Sequence, residues 1–275
     1  MELRTFGDPG RQVPVLGLGT WNMERDDRGS AIAALRRGIS LGMTHVDTAE
    51  MYGSGQVEEI VGEALRGLRD RVFLVSKVLP QNATAQGTVR ACERSLSRLG
   101  TDRLDCYLLH WPGSHPLEGT IRGFEKLVEA GKIRSYGVSN FDSAGLDEAV
   151  RLAGKGRIAC NQVLYHLGER TVEHEVLPWC EQRGIAVVAY SPLGAQRFTS
   201  TKALDEIAAG RRATARQIAL AFLIRRKSVL AIPKSSVIRH VEDNAAAAEL
   251  RLGEDELRRL EADFPPGPWR GLATA

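Results

Sequence analysis

Four residues of this chain have the types and the spacing to do chemistry together: Asp47, Tyr52, Lys77 and His110. Three of them end short apolar runs, Thr44-His45-Val46-Asp47, Val72-Phe73-Leu74-Val75-Ser76-Lys77 and Leu104-Asp105-Cys106-Tyr107-Leu108-Leu109-His110, and Tyr52 follows Asp47 closely. A buried strand has no structural need of an ionisable last residue, whereas the carboxyl ends of the strands in a parallel barrel build its active site. The set suits reduction of an aldehyde or ketone beside a hydride donor, because the carbonyl oxygen becomes alkoxide-like as hydride reaches carbon and must gain a proton. A free tyrosine titrates near pH ~10 and donates reluctantly at neutral pH. An adjacent ammonium lowers that pKa by favouring the phenolate, and a carboxylate keeps the ammonium charged and oriented. A neutral histidine can donate a hydrogen bond that places the carbonyl oxygen. Any one of Asp47, Lys77 or His110 alone reads as a structural ion-pair member, and Tyr52 alone as a loop aromatic. Four in register turn the reading toward chemistry.

Strand-like runs near residues 16, 45, 75, 107, 136, 160, 187 and 230 must position them, mostly about thirty residues apart with an amphipathic helix between. The pattern predicts eight βα units: an α/β fold, a (β/α)8 TIM barrel forming one domain over residues 1–275. Val57, Ile60, Val61, Ala64, Leu65 and Leu68 fall on one helical stripe, and so do Val89, Cys92, Leu96 and Leu99. Asp142 or Ser143 can cap the helix carrying Leu146, Ala149 and Val150, and Thr214 with Gln217 forms a capping box. Ile185-Ala186-Val187-Val188-Ala189-Tyr190 is apolar without alternation, as expected of a strand covered on both faces. Arg4 to Phe6 and Gln12 to Val15 flank Gly7-Asp8-Pro9-Gly10, which predicts an N-terminal β-hairpin able to plug the barrel. Leu252 to Ala262 reads as an extra C-terminal helix before an irregular tail.

Composition narrows the function classes. A net charge of +3 from 37 basic and 34 acidic residues is too small and dispersed to favour nucleic acid. No apolar leader or long uncharged run is present, so a cytoplasmic protein without membrane attachment is expected. Cys92, Cys106, Cys160 and Cys180 show no metal or disulfide spacing, the histidines make no ligand set, and no metal is expected. Gly17-x-Gly19 lacks the third glycine of a Rossmann fingerprint, and Ala149 to Gly156 lacks the first glycine and the Ser/Thr of a P-loop and reads as a surface turn.

Gly17-Leu18-Gly19-Thr20-Trp21, Asp47-Thr48-Ala49-Glu50-Met51-Tyr52, Ser76-Lys77, Leu109-His110-Trp111-Pro112, Gly137-Val138-Ser139-Asn140, Asn161-Gln162, Tyr190-Ser191-Pro192-Leu193-Gly194 and Ile232-Pro233-Lys234-Ser235 follow one another in order. In them, from Gly17 to Asn244, the chain resembles the aldo-keto reductase superfamily, and within it the bacterial branch that includes methylglyoxal reductases. The resemblance implies NADPH as hydride donor, Tyr52 as general acid, Lys77 and Asp47 as its tuning pair, and His110 as the group that positions a small-molecule carbonyl substrate. It implies that Tyr190 stacks on the nicotinamide while Ser139, Asn140 and Gln162 bind its carboxamide. Lys234 and Ser235 would hold the 2′-phosphate, with Gly19, Thr20, Trp21, Asp47, Ser191, Pro192, Leu193, Gly194, Ile232, Pro233, Ser236, Arg239, His240, Asp243 and Asn244 completing the cofactor site. The substrate pocket would be bordered by Trp21, Met51, Tyr52, His110 and Trp111, with Trp269 a further candidate.

Two departures shape the expectation. Where the family often carries an arginine after its phosphate-binding lysine, this chain has His240, with Arg239 one position earlier. A lysine is a point charge without arginine's planar fork, so a moderate NADPH preference is expected, weakening as His240 loses its proton with rising pH. The segment Trp111 to Gly119 and the tail are short, which predicts an open pocket for small or varied aldehydes. A monomer is expected. The competing function is an NADP(H)-binding redox-sensing subunit with little turnover.

Overall fold

Apolar runs buried on both faces decide the architecture seen in a computed structural model of the chain, which describes residues 1–7, 10–195 and 198–274. The strands are β1 (Leu3–Phe6), β2 (Arg11–Pro14), β3 (Leu18–Gly19), β4 (His45–Asp47), β5 (Phe73–Val78), β6 (Cys106–Leu109), β7 (Tyr136–Ser139), β8 (Ile158–Leu164), β9 (Ala186–Tyr190) and β10 (Val229–Ala231). β3 to β10 lie side by side in sequence order as an eight-stranded parallel sheet. Parallel bridges Leu16 to Ala231 and Gly19 to Lys234 close it, with the Gly19 amide donating to the Pro233 carbonyl at 3.1 Å. The glycines of the first run serve this closure. A Cβ on Gly19 would lie 2.4 Å from the Ile232 carbonyl oxygen, and one on Gly17 2.7 Å from that of His45. They are therefore packing residues between neighbouring strands.

Phe73, Val75, Cys106, Leu108, Cys160, Ala186, Val188 and Leu230 alternate along their strands into one interior cluster, which Phe6 and Val13 of the β1–β2 hairpin complete. The hairpin thus plugs the end where the strands begin, as expected; Asp8 and Pro9 of its predicted turn lie outside the described residues. Two residues beyond Val75, Leu108, Cys160 and Val188 stand Lys77, His110, Gln162 and Tyr190, and Asp47 stands in the same relation to the buried His45 of β4. Side chains at i and i+2 share a face of a strand, so these form the layer above the apolar interior, at the strands' carboxyl ends.

Outside the sheet lie helices α1 (Arg28–Ser40), α2 (Gln56–Ala64), α3 (Ala85–Leu99), α4 (Leu117–Glu129), α5 (Ser143–Ala153), α6 (Val176–Arg183), α7 (Lys202–Gly210), α8 (Ala215–Leu223), α9 (Ile238–Ala247) and α10 (Glu254–Asp263), with α10 packed on α7 and α7 on α8. The fold is an α/β barrel of the TIM type with an N-terminal hairpin and an extra C-terminal helix. Asp142 caps α5 by accepting from the Gly145 amide, and Thr214 with Gln217 makes the capping box of α8. Among the described residues no helix is long and apolar enough to cross a membrane.

Two expectations are corrected. The stripe from Val57 to Leu68 is not one helix: α2 ends at Ala64, and the chain turns through Gly67 at φ 76°, leaving Leu68 packed on the core from a loop. Apolar spacing persists there because a turn can also bury its leucine. The segment 149–156 is not simply a surface turn, since α5 continues to Ala153 with Ala149 buried, and only Gly154 and beyond leave the helix.

Candidate active site

β4 delivers Asp47, β5 delivers Lys77, the residue after β6 is His110, and Tyr52 opens a short 3-10 turn in the loop after β4. Thr20 fixes the top of β4 by donating its hydroxyl to the Asp47 carbonyl at 2.8 Å. The Lys77 ammonium, fully buried, makes three contacts: Asp47 Oδ1 at 2.5 Å, the Thr48 carbonyl at 2.9 Å and the Tyr52 hydroxyl at 3.3 Å. Asp47 uses its other oxygen to accept from Gln162 Nε2 at 2.8 Å. A buried ion pair with both partners further hydrogen-bonded in this way avoids the large cost of an uncompensated charge. The Tyr52 and His110 rings meet edge to face at 5.8 Å, and His110 tilts against Trp111 at 4.7 Å. The four residues of the sequence pattern therefore converge in one place.

Electrostatics assigns their protonation. Burial raises the Lys77 population of neutral amine, but Asp47 and Tyr52 together outweigh it, and its pKa lies above the ordinary value. For Tyr52 the expectation of a lowered pKa is corrected. Burial pushes the phenol up by more than Lys77 pulls it down, so the net direction is upward. Tyr52 is thus a protonated donor at neutral pH, and what Lys77 does is make its phenolate less unfavourable than burial alone would. Burial, then Lys77, lowers the His110 pKa to about 2, so its imidazole is neutral. Its Nδ1 is buried without a hydrogen-bond partner. A buried lone pair is less costly to leave unmet than a buried N–H, which favours the tautomer with its proton on Nε2.

Asp47, Tyr52 and His110, with Lys77 buried behind them, open on a cavity of about 1440 Å³, larger than a site for one small molecule needs. Trp21, Met51 and Trp111 line it together with Tyr52 and His110. Ser139, Asn140, Gln162 and Tyr190 follow along the next strand ends. Asn140, held at φ 61°, donates to the His110 carbonyl at 3.1 Å and to Ser139 Oγ at 3.2 Å. The Tyr190 hydroxyl donates to Asn140 Oδ1 at 2.9 Å, which fixes the plane of an aromatic ring on the cavity wall. Gly19, Thr20, Asp47, Ser191, Pro192, Leu193, Ile232, Pro233, Lys234, Ser235, Ser236, His240 and Asn244 also line it. Gly194, Arg239, Asp243 and Trp269 are not part of that wall. The Arg239 side chain is solvent-exposed on α9, and the Trp269 ring lies 6.4 Å from His174 instead.

Asn22, Arg25, Asp26, Phe198 and Arg216 line the cavity without having been singled out in the sequence. Asn22, Arg25 and Asp26 sit in the loop after β3, and βα loops at this end of a barrel are where ligand contacts gather. That position was their available signal. A long cavity with a fixed aromatic face, amide groups beside it and cations at Arg25, Arg216 and Lys234 fits a dinucleotide carrying several phosphates.

The model of the Aldo/keto reductase family matches residues 15–262. The chain is 50% identical over 260 residues to methylglyoxal reductase YeaE of Escherichia coli (strain K12), covering 92% of each protein. It is 32% identical to glyoxal reductase of Bacillus subtilis (strain 168), over 92% of this chain and 90% of the other. The crystal structure of an aldo/keto reductase from Klebsiella pneumoniae in complex with NADP and acetate superposes with a TM-score of 0.95 at 46% identity, over 100% of this chain and 99% of that one.

Proposed function

We propose that this chain, which belongs to the aldo/keto reductase family, is an NADPH-dependent reductase that converts small aldehydes, α-ketoaldehydes or ketones to alcohols. The observation that carries the reading is the Tyr52 hydroxyl 3.3 Å from the Lys77 ammonium, itself held by Asp47, in the same cavity as Lys234 and the Tyr190 ring. The names of the relatives support the substrate class, and the NADP bound in the Klebsiella protein supports the cofactor.

The bound cofactor supplies the hydride. Tyr52 gives its phenolic proton to the carbonyl oxygen as negative charge develops there, and Lys77, kept charged by Asp47, stabilises the phenolate left behind. His110 stays neutral throughout and orients the carbonyl oxygen by a hydrogen bond. It cannot be the acid, because an imidazole with a pKa of about 2 has no proton to spare beyond its neutral N–H. Tyr190 supports one face of the nicotinamide and excludes water from it. Ser139, Asn140 and Gln162 hold the carboxamide; Gln162 Nε2 is committed to Asp47, which leaves its carbonyl oxygen as the acceptor for an amide N–H. Lys234, Ser235 and Ser236, with His240 and Asn244 beside them, hold the 2′-phosphate. Trp21, Met51 and Trp111 border the substrate. The reading takes residues 1–275 as one catalytic domain acting as a cytoplasmic monomer.

Steady-state oxidation of NADPH with methylglyoxal and with a substituted benzaldehyde tests it, with the alcohol identified as product. Binding of NADPH without turnover on a broad carbonyl panel would instead favour a redox-sensing subunit.

A further inference from the structure

The lysine assigned to the 2′-phosphate already holds an anion of the protein's own. After β3 the chain turns through Asn22 at φ 62° and one 3-10 turn, Met23–Arg25, and this brings Asp26 across to the loop after β10. There Asp26 Oδ2 forms an ion pair with the Lys234 ammonium and accepts from the Ser236 hydroxyl at 2.6 Å. Burial works against the carboxylate, yet Lys234 and Ser236 together keep its pKa below the usual value, so it is charged. A single carboxylate oxygen thus takes two of the donors that a phosphate oxygen would need. Among the described residues, the arginines on this wall do not replace them. Arg25 is largely in solvent near Glu24, and the Arg216 guanidinium lies over the Phe198 ring.

We infer that Asp26 is a specificity-determining residue that competes with the 2′-phosphate for Lys234 and Ser236 and so selectively weakens binding of 2′-phosphorylated nucleotides. This rests on the assignment of Lys234 to that phosphate. A nucleotide with a free 2′-hydroxyl need not displace the carboxylate, so Asp26 narrows the gap between the two cofactor classes. Like charges within a few ångströms repel strongly even near a surface, whereas an amide of the same shape would not.

The test is isothermal titration of the full chain with adenosine 2′,5′-bisphosphate and with adenosine 5′-monophosphate, for the wild type, Asp26→Asn and Asp26→Glu. Asp26→Asn should tighten the bisphosphate by about tenfold or more and leave the monophosphate within about twofold. Asp26→Glu, which keeps the charge, should stay close to the wild type. Thermal unfolding checks that each variant is folded; Asp26 is partly exposed, Asp26→Asn preserves its shape, and Asp26→Glu adds one methylene while keeping the charge. An unchanged or weakened bisphosphate affinity in Asp26→Asn, or equal tightening of both nucleotides, would overturn the inference. Turnover of methylglyoxal with NADPH by the wild type separates the two levels. Its absence would sink the reductase reading, whereas normal turnover with an unmoved affinity ratio would remove only the role of Asp26.

Discussion

Replacing Lys77 by methionine deletes the charge that stands 3.3 Å from the Tyr52 hydroxyl while keeping much of the side chain's volume. In the proposed mechanism the phenolate forms as the carbonyl oxygen takes the proton, and the ammonium faces that new charge directly. At 3.3 Å and an effective dielectric constant of about 20, the interaction is about 5 kcal/mol. At 1.36 kcal/mol per decade this corresponds to roughly three to four decades in kcat. The assay is NADPH oxidation at saturating methylglyoxal, paired with NADP⁺ affinity to separate chemistry from binding. Methionine also leaves Asp47, 1% exposed, without its counter-charge, so the fold itself should lose about 3–5 kcal/mol. The double variant Lys77→Met with Asp47→Asn should recover most of that stability and none of the rate. A single or double variant that is folded, binds NADP⁺ and turns over within about tenfold of the wild type would refute the assignment of Lys77 to phenolate stabilisation.

Two further outcomes are expected. Lys234→Ala should narrow or abolish the NADPH over NADH ratio in kcat/KM, and a wild-type ratio at or below one would contradict the assignment of that lysine to a phosphate. Stability should fall on acidification, because burial lowers His45 to about 4 and His110 to about 2, while in the unfolded chain both take up a proton near pH ~6.5. Their contribution is thus fully present above about pH 6.5 and is lost as pH falls toward those folded values, about 2 kcal/mol each by pH ~5. Urea unfolding between pH 7.5 and 5 checks this; His45→Leu should flatten the slope by about half, and a flat wild-type profile would contradict it.

Most of the barrel was legible because its strands obey two simple rules. Runs apolar on both faces marked the buried parallel strands, and an ionisable residue at the end of such a run marked the face where ligands meet. Asp47, Lys77 and His110 fall in one layer because each lies two residues beyond an interior residue of its strand, His45, Val75 and Leu108. Capping followed from local chemistry at Asp142 and Thr214. What stayed hidden depends on contacts distant in sequence. Asp26 lies in a loop without periodicity and matters only because Lys234 reaches it across the barrel's closure. The direction of the Tyr52 shift depends on how deeply the hydroxyl is buried, which the spacing from Asp47 does not reveal. Leu68 kept helical spacing while belonging to a turn, since burial of a leucine does not require the helix to continue.

The central claim is that Tyr52 donates the proton that completes carbonyl reduction, and Tyr52→Phe tests it most directly. The change removes one oxygen from a ring already packed against His110. By analogy with deleting one aimed donor, kcat for methylglyoxal with NADPH should fall by about two to three decades, a barrier increase of about 3 to 4 kcal/mol, with NADP⁺ affinity close to that of the wild type. Undiminished turnover in the folded variant would show that the proton comes from elsewhere.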